Sequence, residues 1–111
     1  MAVSAEYRAF VLEQMGRVAP VSAGAMFGGV GIYSEGLYFA LMDDDATYLK
    51  VDDTTRGDFV AAGMGPFRPY GPEGAPMRYY ELPAEVLEDA ERLRPWLEKA
   101  VEVARRARRK R

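Results

Sequence analysis

The sequence predicts an α+β domain in which helices pack on one face of an antiparallel sheet. Apolar residues recur with helical spacing near both ends of the chain, and shorter apolar segments between them are separated by turn residues. Connections this short favour hairpins, because a parallel crossover needs a dozen residues or more. The chain has 111 residues, of which 49% are hydrophobic and 29% charged, a composition that fits one globular domain.

The first helix is predicted to follow Ser4, whose hydroxyl can accept a hydrogen bond from an amide of the first turn. Pro20 disfavours helical backbone at the residue before it, so the helix should end by Ala19. The apolar positions form one face of this helix: Tyr7, Phe10, Val11, Met15 and Val18.

Three strands are predicted next, over residues 25–33, 37–42 and 47–51. Ser34-Glu35-Gly36 is a turn between the first two, and Asp43-Asp44-Asp45 is a turn between the second and the third. Strict alternation gives the middle strand one apolar face: Leu37, Phe39 and Leu41.

A second helix is predicted over residues 54–62, with Asp52 or Asp53 as its cap. Gly63 is expected to end this helix in the left-handed conformation. A short edge strand at 67–70, flanked by prolines, is the fourth predicted strand.

A fifth strand is predicted over residues 77–82, and the chain after Pro83 is helical. Pro95 lies inside this helical pattern and should kink the segment or divide it into a short helix and a longer one. The predicted order is therefore α-β-β-β-α-β-β-α, with one domain over residues 1–104 and a basic tail over 105–111.

The composition argues against an enzyme. The chain contains no cysteine and no histidine, which removes thiol catalysis, Ser-His-Asp chemistry and zinc sites built on those residues. We therefore predict no catalytic, cofactor or metal-binding residues. No apolar segment approaches the roughly 20 residues of a membrane span, and residues 1–6 lack signal-peptide features, so a cytoplasmic location is expected.

The net charge of −2 is unevenly distributed, because six of the 15 basic residues lie in the last seven positions. The rest of the chain carries 9 basic and 17 acidic residues. The tail could contact nucleic-acid phosphates, or it could be a solvated run of charge. Its basic residues are Arg105, Arg106, Arg108, Arg109, Lys110 and Arg111.

Two other motifs have both a chemical and a structural interpretation. The glycines at 28, 29 and 31 could bind phosphate through backbone amides, or they could serve a strand that another group approaches closely. The aspartates at 43–45 could bind a cation, but they also suit a hairpin turn. Asp52 and Asp53 are interpreted as caps, the alternative being a carboxylate pair.

A third group has basic and aromatic side chains on or beside the predicted strands. Lys50, Arg56, Arg78 and Tyr80, with Tyr79 between the last two, could form a surface for an anionic ligand or a partner. The structural alternative is that these side chains balance nearby acids and pack their stems over the sheet.

Several segments together resemble the N-terminal domain of the TfoX/Sxy family. They are Met26-Phe27-Gly28-Gly29 with Gly31 and Tyr33, Tyr48-Leu49-Lys50-Val51-Asp52-Asp53 with Thr55-Arg56 and Phe59, Gly63 with Pro66-Phe67, and Met77-Arg78-Tyr79-Tyr80-Glu81-Leu82-Pro83. The resemblance covers about residues 4 to 104 and implies a two-layer, secretion-chaperone-like fold. It also implies a regulator of competence and transcription that acts through other regulators, although name-giving members carry a further C-terminal helical domain.

The sequence therefore predicts a stand-alone domain of this kind. The expected function is a non-enzymatic, cytoplasmic regulatory module that binds another protein or a second copy of itself. Nucleic-acid association through the basic tail is the alternative, and small-ligand binding or enzymatic activity ranks below it.

Overall fold

Five antiparallel strands form one sheet in the order β1-β2-β3-β4-β5 in a computed structural model of the chain. The structure describes residues 3–26, 28–69, 71, 73–74 and 77–109. The elements are α1 (Ala5–Gly16), β1 (Ser22–Met26), β2 (Gly29–Ser34), β3 (Leu37–Asp43), β4 (Ala46–Lys50), α2 (Arg56–Ala61), β5 (Tyr79–Glu81), α3 (Ala84–Leu87) and α4 (Ala90–Arg109). The predicted α+β class with an antiparallel sheet is confirmed.

Helix α1 begins as predicted, because the Ser4 hydroxyl accepts a hydrogen bond from the Tyr7 amide at 3.1 Å. Val11 and Met15 are fully buried beneath it. Phe10, which was expected on the packed face, is 40% exposed. The buried stripe of α1 is therefore narrower than the apolar pattern predicts.

The predicted strand over 25–33 is in fact a hairpin of two strands. β1 and β2 pair from Ser22 with Tyr33 to Met26 with Gly29. Gly28 lies at the turn with a φ of +80°, a conformation that costs glycine little. The small residues of β1 carry little of the hydrophobic signal that marks a strand, which is why the sequence places the strand start too late.

A β-bulge between β2 and β3 changes the faces predicted for β3. The pairing shifts between Ile32 and Tyr33, so one residue of β3 has no direct partner. Phe39 and Ala40 consequently both lie in the core under the helices, and Leu41 lies on the other face of the sheet. The expectation that Phe39 and Leu41 share a face is wrong for this reason.

The predicted end of the second helix is present, but the helix begins at Arg56 and its cap position is Thr55, whose side chain makes no cap hydrogen bond. Asp52 holds the turn that precedes the helix. The Asp52 carboxylate accepts a hydrogen bond from the Thr54 amide at 2.9 Å, and the Thr55 hydroxyl accepts one from the Asp52 amide at 3.1 Å. Gly63 has a φ of +80°, and the next amide, of Met64, returns to the Phe59 carbonyl at 3.0 Å. This is a Schellman ending, which satisfies carbonyls that the helix leaves open.

The predicted strand at 67–70 is not formed among the described residues of that segment, and Tyr70 lies outside them. Pro66 makes an isolated bridge with Tyr80, and the Phe67 amide donates to the Tyr79 carbonyl at 2.7 Å. Proline lacks the amide that a longer ladder would need. β5 is correspondingly shorter than the predicted 77–82.

The C-terminal segment divides into a short and a long helix, but the break is at residues 88–89 and not at Pro95. The Asp89 carboxylate accepts hydrogen bonds from the amides of Glu91 at 3.0 Å and Arg92 at 3.4 Å, and so caps α4. Pro95 lies inside α4, where the helix tolerates the loss of one backbone hydrogen bond.

The main core lies between the sheet and the helices, with α4 packed across β3 and β4. Its largest fully buried side chains include Met15, Ile32, Phe39, Leu93 and Leu97. A smaller cluster on the opposite face contains Leu41, Phe67 and Tyr79. None of the described helices combines the length and apolar character that crossing a bilayer requires.

Candidate functional site

A shallow cleft lies between the C-terminal end of α4 and the turn that joins β2 to β3. It has two adjoining lobes, of about 340 and 260 Å³, that share Leu37 and Arg108. Its cationic side chains are Lys50, Arg105, Arg108 and Arg109, and Glu35 is an acid at its edge. We call this feature the basic cleft.

Lys50 reaches the cleft from the end of β4. It pairs with Tyr79 of β5, so both side chains lie on the face of the sheet away from the helices. The Lys50 ammonium lies 3.4 Å from the Tyr79 hydroxyl and 5.4 Å from the centroid of its ring. Burial raises the pKa of Tyr79, which keeps the hydroxyl beside Lys50 neutral.

Helix α4 supplies the arginines, which follow an i, i+3, i+4 pattern at 105, 108 and 109 and so share a face. Glu102 contacts Arg105 at 2.5 Å and Arg109 at 4.0 Å. Within the described part of the chain, Arg108 has no carboxylate within 4.0 Å. Arg108 is therefore the guanidinium of this face whose charge is least balanced locally.

Arg106 points away from the cleft and joins α4 to the start of α2. Its guanidinium donates to the Asp52 carboxylate at 2.7 Å and lies 3.4 Å from the Thr54 hydroxyl. Burial alone would raise the pKa of Asp52, but hydrogen bonds from Thr54 and Arg106 lower it to about 2. Arg106 thus makes a structural contact with Asp52, and the sequence alone did not distinguish it from the other basic residues of the tail.

The four residues predicted as a ligand or partner surface are not brought together. Lys50 is at the cleft, but Tyr80 pairs with Leu49 on the opposite face of the sheet, with its ring centroid 6.1 Å from that of Phe59. Arg56 lies on α2 and contacts Asp53 at 2.9 Å. Arg78 is exposed, and its carbonyl accepts from the Val51 amide at 3.0 Å.

The basic tail is in large part an extension of α4, which continues past residue 104 to Arg109 without a break. Arg105, Arg108 and Arg109 are therefore held at the cleft by a helix. Lys110 and Arg111 lie outside the described residues.

The glycine motif has the close backbone approach expected of its structural interpretation. A Cβ at Gly29 would collide with the carbonyl oxygen of Met42. A Cβ at Gly31 would lie 3.2 Å from the ring of Tyr38 and 3.3 Å from the end of Met26. These glycines sit inside a strand, so their amides belong to the sheet and not to the start of a helix.

Asp44 and Asp45 form the turn between β3 and β4, and Asp43 is the last residue of β3. Asp44 and Asp45 have φ values of 51° and 54°, as in the tight hairpin turns that suit the strand twist. The Asp45 carboxylate accepts a hydrogen bond from the Ser4 amide at 2.8 Å. Across the described residues, no group of three or more histidines, cysteines and acids is placed to hold a metal ion.

The outer edge of β1 is a feature that the sequence reasoning missed. Within the described part of the chain, β1 ends the sheet and pairs on one side only, with β2. No residue from 18 to 34 is charged, so neither β1 nor β2 carries a charged side chain. The chain has 29% charged residues, so this uncharged interval is the signal that could have indicated an edge strand without protecting charges.

The open antiparallel sheet, with helices on one face and a shallow cleft at one end, defines a small α+β domain. The chain belongs to the TfoX N-terminal domain family, whose model matches residues 13–104. The match runs from within α1 to within α4 and includes every strand. No curated protein matches the chain at a significant level.

Proposed function

We propose that this domain is a non-enzymatic regulatory module that acts by binding, and that β1 is its interaction strand. In the proposed dimer, the outer edge of β1 in one copy pairs with the outer edge of β1 in a second copy. Membership of the TfoX N-terminal domain family supports a regulatory role in the cytoplasm, and a regulator without catalysis must act through contacts.

The observation that carries the proposal is the free edge of β1. An edge strand exposes unpaired amides and carbonyls, and proteins usually protect such edges with charged residues, proline or a covering element. β1 is Ser22-Ala23-Gly24-Ala25-Met26, which contains neither a charge nor a proline. Its backbone is therefore open to another extended strand.

The sequence of β1 favours a second copy as that strand. Antiparallel pairing centred on Gly24 would place Ala23 opposite Ala25 and Ser22 opposite Met26. Small side chains in these positions allow the two backbones to approach. Because β1 is uncharged, two copies would also meet without the like-charge repulsion that destabilises cross-strand pairs.

The side chains at the cleft support binding over catalysis. The chain has no histidine, the residue best suited to proton transfer near neutral pH. Burial raises the pKa of Tyr38 to about 12 and also raises that of Tyr79, so both hydroxyls are weaker acids than an exposed tyrosine. Neither is poised to exchange a proton at pH 7.

The test introduces a charge at the proposed edge and measures molar mass in solution. The 12.4 kDa chain should show about twice its mass at high micromolar concentration. Ala25→Lys should remain at the monomer mass, because a charged side chain protects a strand edge and the two lysines would be diagonal neighbours across the pair. Ala25 is exposed, so the change should not disturb the core.

Ala61→Lys is the matched control, because Ala61 is exposed on α2, which contacts β5 at the other edge of the sheet. It adds the same charge and should leave the dimer intact. A wild-type chain that stays monomeric throughout the concentration range, or equal dissociation by both variants, would refute pairing through β1.

A further inference from the structure

We propose that the basic cleft binds the phosphate groups of a small phosphorylated compound. This inference does not depend on pairing through β1, because the cleft lies at the end of α4 and is formed within one chain.

Positive charge converges at the cleft from separate parts of the sequence. Lys50 comes from β4 and Arg105, Arg108 and Arg109 from α4, yet they line adjoining lobes of one cleft. The body of the chain outside the last seven residues has 9 basic and 17 acidic residues. A local group of cations on an otherwise acidic domain attracts anions to one place.

Arg108 differs from the neighbouring arginines of α4 in its ion pairing. Arg106 is bound to Asp52 at 2.7 Å, and Glu102 partly balances Arg105 and Arg109. Arg108 has no carboxylate within 4.0 Å among the residues that the structure describes. A guanidinium presents a planar pair of donors that matches two phosphate oxygens.

The wall of the cleft opposite Arg108 leaves room for a ligand. Gly36 forms part of the second lobe with a φ of +82°, and a Cβ there would lie 3.9 Å from the Arg108 guanidinium. The absence of a side chain leaves space beside that group. Lys50 lines the same lobe, next to the neutral hydroxyl of Tyr79, and supplies a second cation.

The size and charge of the surroundings favour a small compound over a nucleic acid. The lobes have volumes of about 340 and 260 Å³, which is room for one or two phosphate groups. A long polyanion would extend past the cleft onto the acidic body, where it would be repelled. Glu35 at the cleft edge would also oppose additional negative charge.

The experiment is a calorimetric titration of the full chain with pyrophosphate at low ionic strength. Wild-type protein should bind it, and Arg108→Gln and Lys50→Gln should each weaken binding by about tenfold or more, as expected for loss of a charge-assisted hydrogen bond. Glu35→Gln should strengthen binding, because it removes a repulsive carboxylate. Thermal melting would verify that each variant is folded.

Arg92→Gln is the matched control for charge. Arg92 is exposed near the start of the same helix, about 24 Å from Arg108 at 1.5 Å per residue. This variant should bind pyrophosphate as wild type does. Absence of binding by the wild type at millimolar pyrophosphate, or equal weakening by Arg92→Gln and Arg108→Gln, would overturn the proposal.

A parallel titration with a single-stranded oligonucleotide that lacks terminal phosphates distinguishes the two sources of phosphate. We expect the oligonucleotide to bind more weakly than pyrophosphate, because its phosphodiesters carry one charge each and its length meets the acidic body. Tighter binding of the oligonucleotide, lost in Arg108→Gln, would contradict a small-compound site and assign the cleft to nucleic acid instead.

Discussion

At the scale of single residues, Asp52 links three parts of the chain. Its carboxylate accepts from Thr54 in the turn before α2 and from Arg106 near the end of α4, and it directly follows Val51 after β4. The sequence predicts a local hydrogen-bonding role for this aspartate, although the cap position of α2 is Thr55. The partner at position 106 was not predictable, since it depends on how α4 crosses the sheet.

We predict that Asp52→Ala lowers the free energy of unfolding by about 1–2 kcal/mol at pH 7, through loss of the hydrogen bonds from Thr54 and of the ion pair with Arg106. The pKa of Asp52 falls from 3.8 to about 2 on folding. A carboxyl with a lowered pKa contributes its stability above the unfolded value and loses it as the pH falls through the folded value. The cost should therefore shrink as the pH falls from about 4 toward 2.

Urea denaturation at pH 7, 4 and 2 measures this effect. Asp53→Ala is the control, because the Asp53 side chain is 88% exposed and its contact with Arg56 is of the surface type. It should change stability by only a few tenths of a kcal/mol. An Asp52→Ala cost that is the same at pH 7 and pH 2 would contradict the role assigned to the ionised carboxylate.

At the scale of elements, the C-terminal segment shows that the cap at Asp89, and not the proline at 95, determines where α4 begins. Pro95 was expected to kink or divide the C-terminal helical segment, but the division falls at Asp89, six residues earlier along the chain. Asp89 satisfies the open amides at the start of α4, whereas Pro95 removes only one hydrogen bond inside it. The sequence indicated a kink or a division in this segment but placed it at Pro95, because the capping role of Asp89 depends on where the backbone turns.

We predict opposite effects for substitutions at these two positions of the C-terminal segment. Asp89→Ala should lower the free energy of unfolding by about 1 kcal/mol, since it removes the cap. Pro95→Ala should raise it by about 1 kcal/mol or more, because alanine restores an amide and is a better helix former. Chemical denaturation of the two variants checks both signs, and a destabilising Pro95→Ala would show that the proline has a packing role.

The strands show where periodicity fails as a guide. The turns at 34–36 and 43–45 are marked by residues that suit hairpin turns, and the structure has both. The bulge opposite Ile32 and Tyr33 is not marked in the same way, and it reverses the face of Leu41. β1 was missed because alanine and glycine carry too little hydrophobic contrast to indicate a strand.

At the scale of the whole molecule, the basic cleft combines two predictions that the sequence made separately. Lys50 was predicted as a candidate on a strand, and Arg108 as part of a basic tail. A 20-residue helix is about 30 Å long, and α4 therefore reaches the turn between β2 and β3 at the end of the sheet. The sequence identifies Lys50 and Arg108 as charged candidates. It does not show that the fold brings them to the same cleft.

The free edge of β1 is also a property of the whole molecule, because it depends on the strand order. β5 at the other edge is accompanied by Pro66 and Phe67, which occupy part of its outer side. No comparable segment among the described residues bonds to the outer side of β1. We therefore expect protein association at the β1 edge of the sheet and not at the β5 edge.

The most direct test of this central claim uses the absence of cysteine from the chain. Two strands paired about Gly24 would place the Gly24 residues opposite each other, with Cα atoms about 5 Å apart, which suits a disulfide. A Cβ at Gly24 meets no atom within 4 Å. Under mild oxidation, Gly24→Cys should form a covalent dimer readily, and Ala61→Cys at the other edge should not. Gly24→Cys that cross-links no faster than Ala61→Cys would contradict pairing through β1.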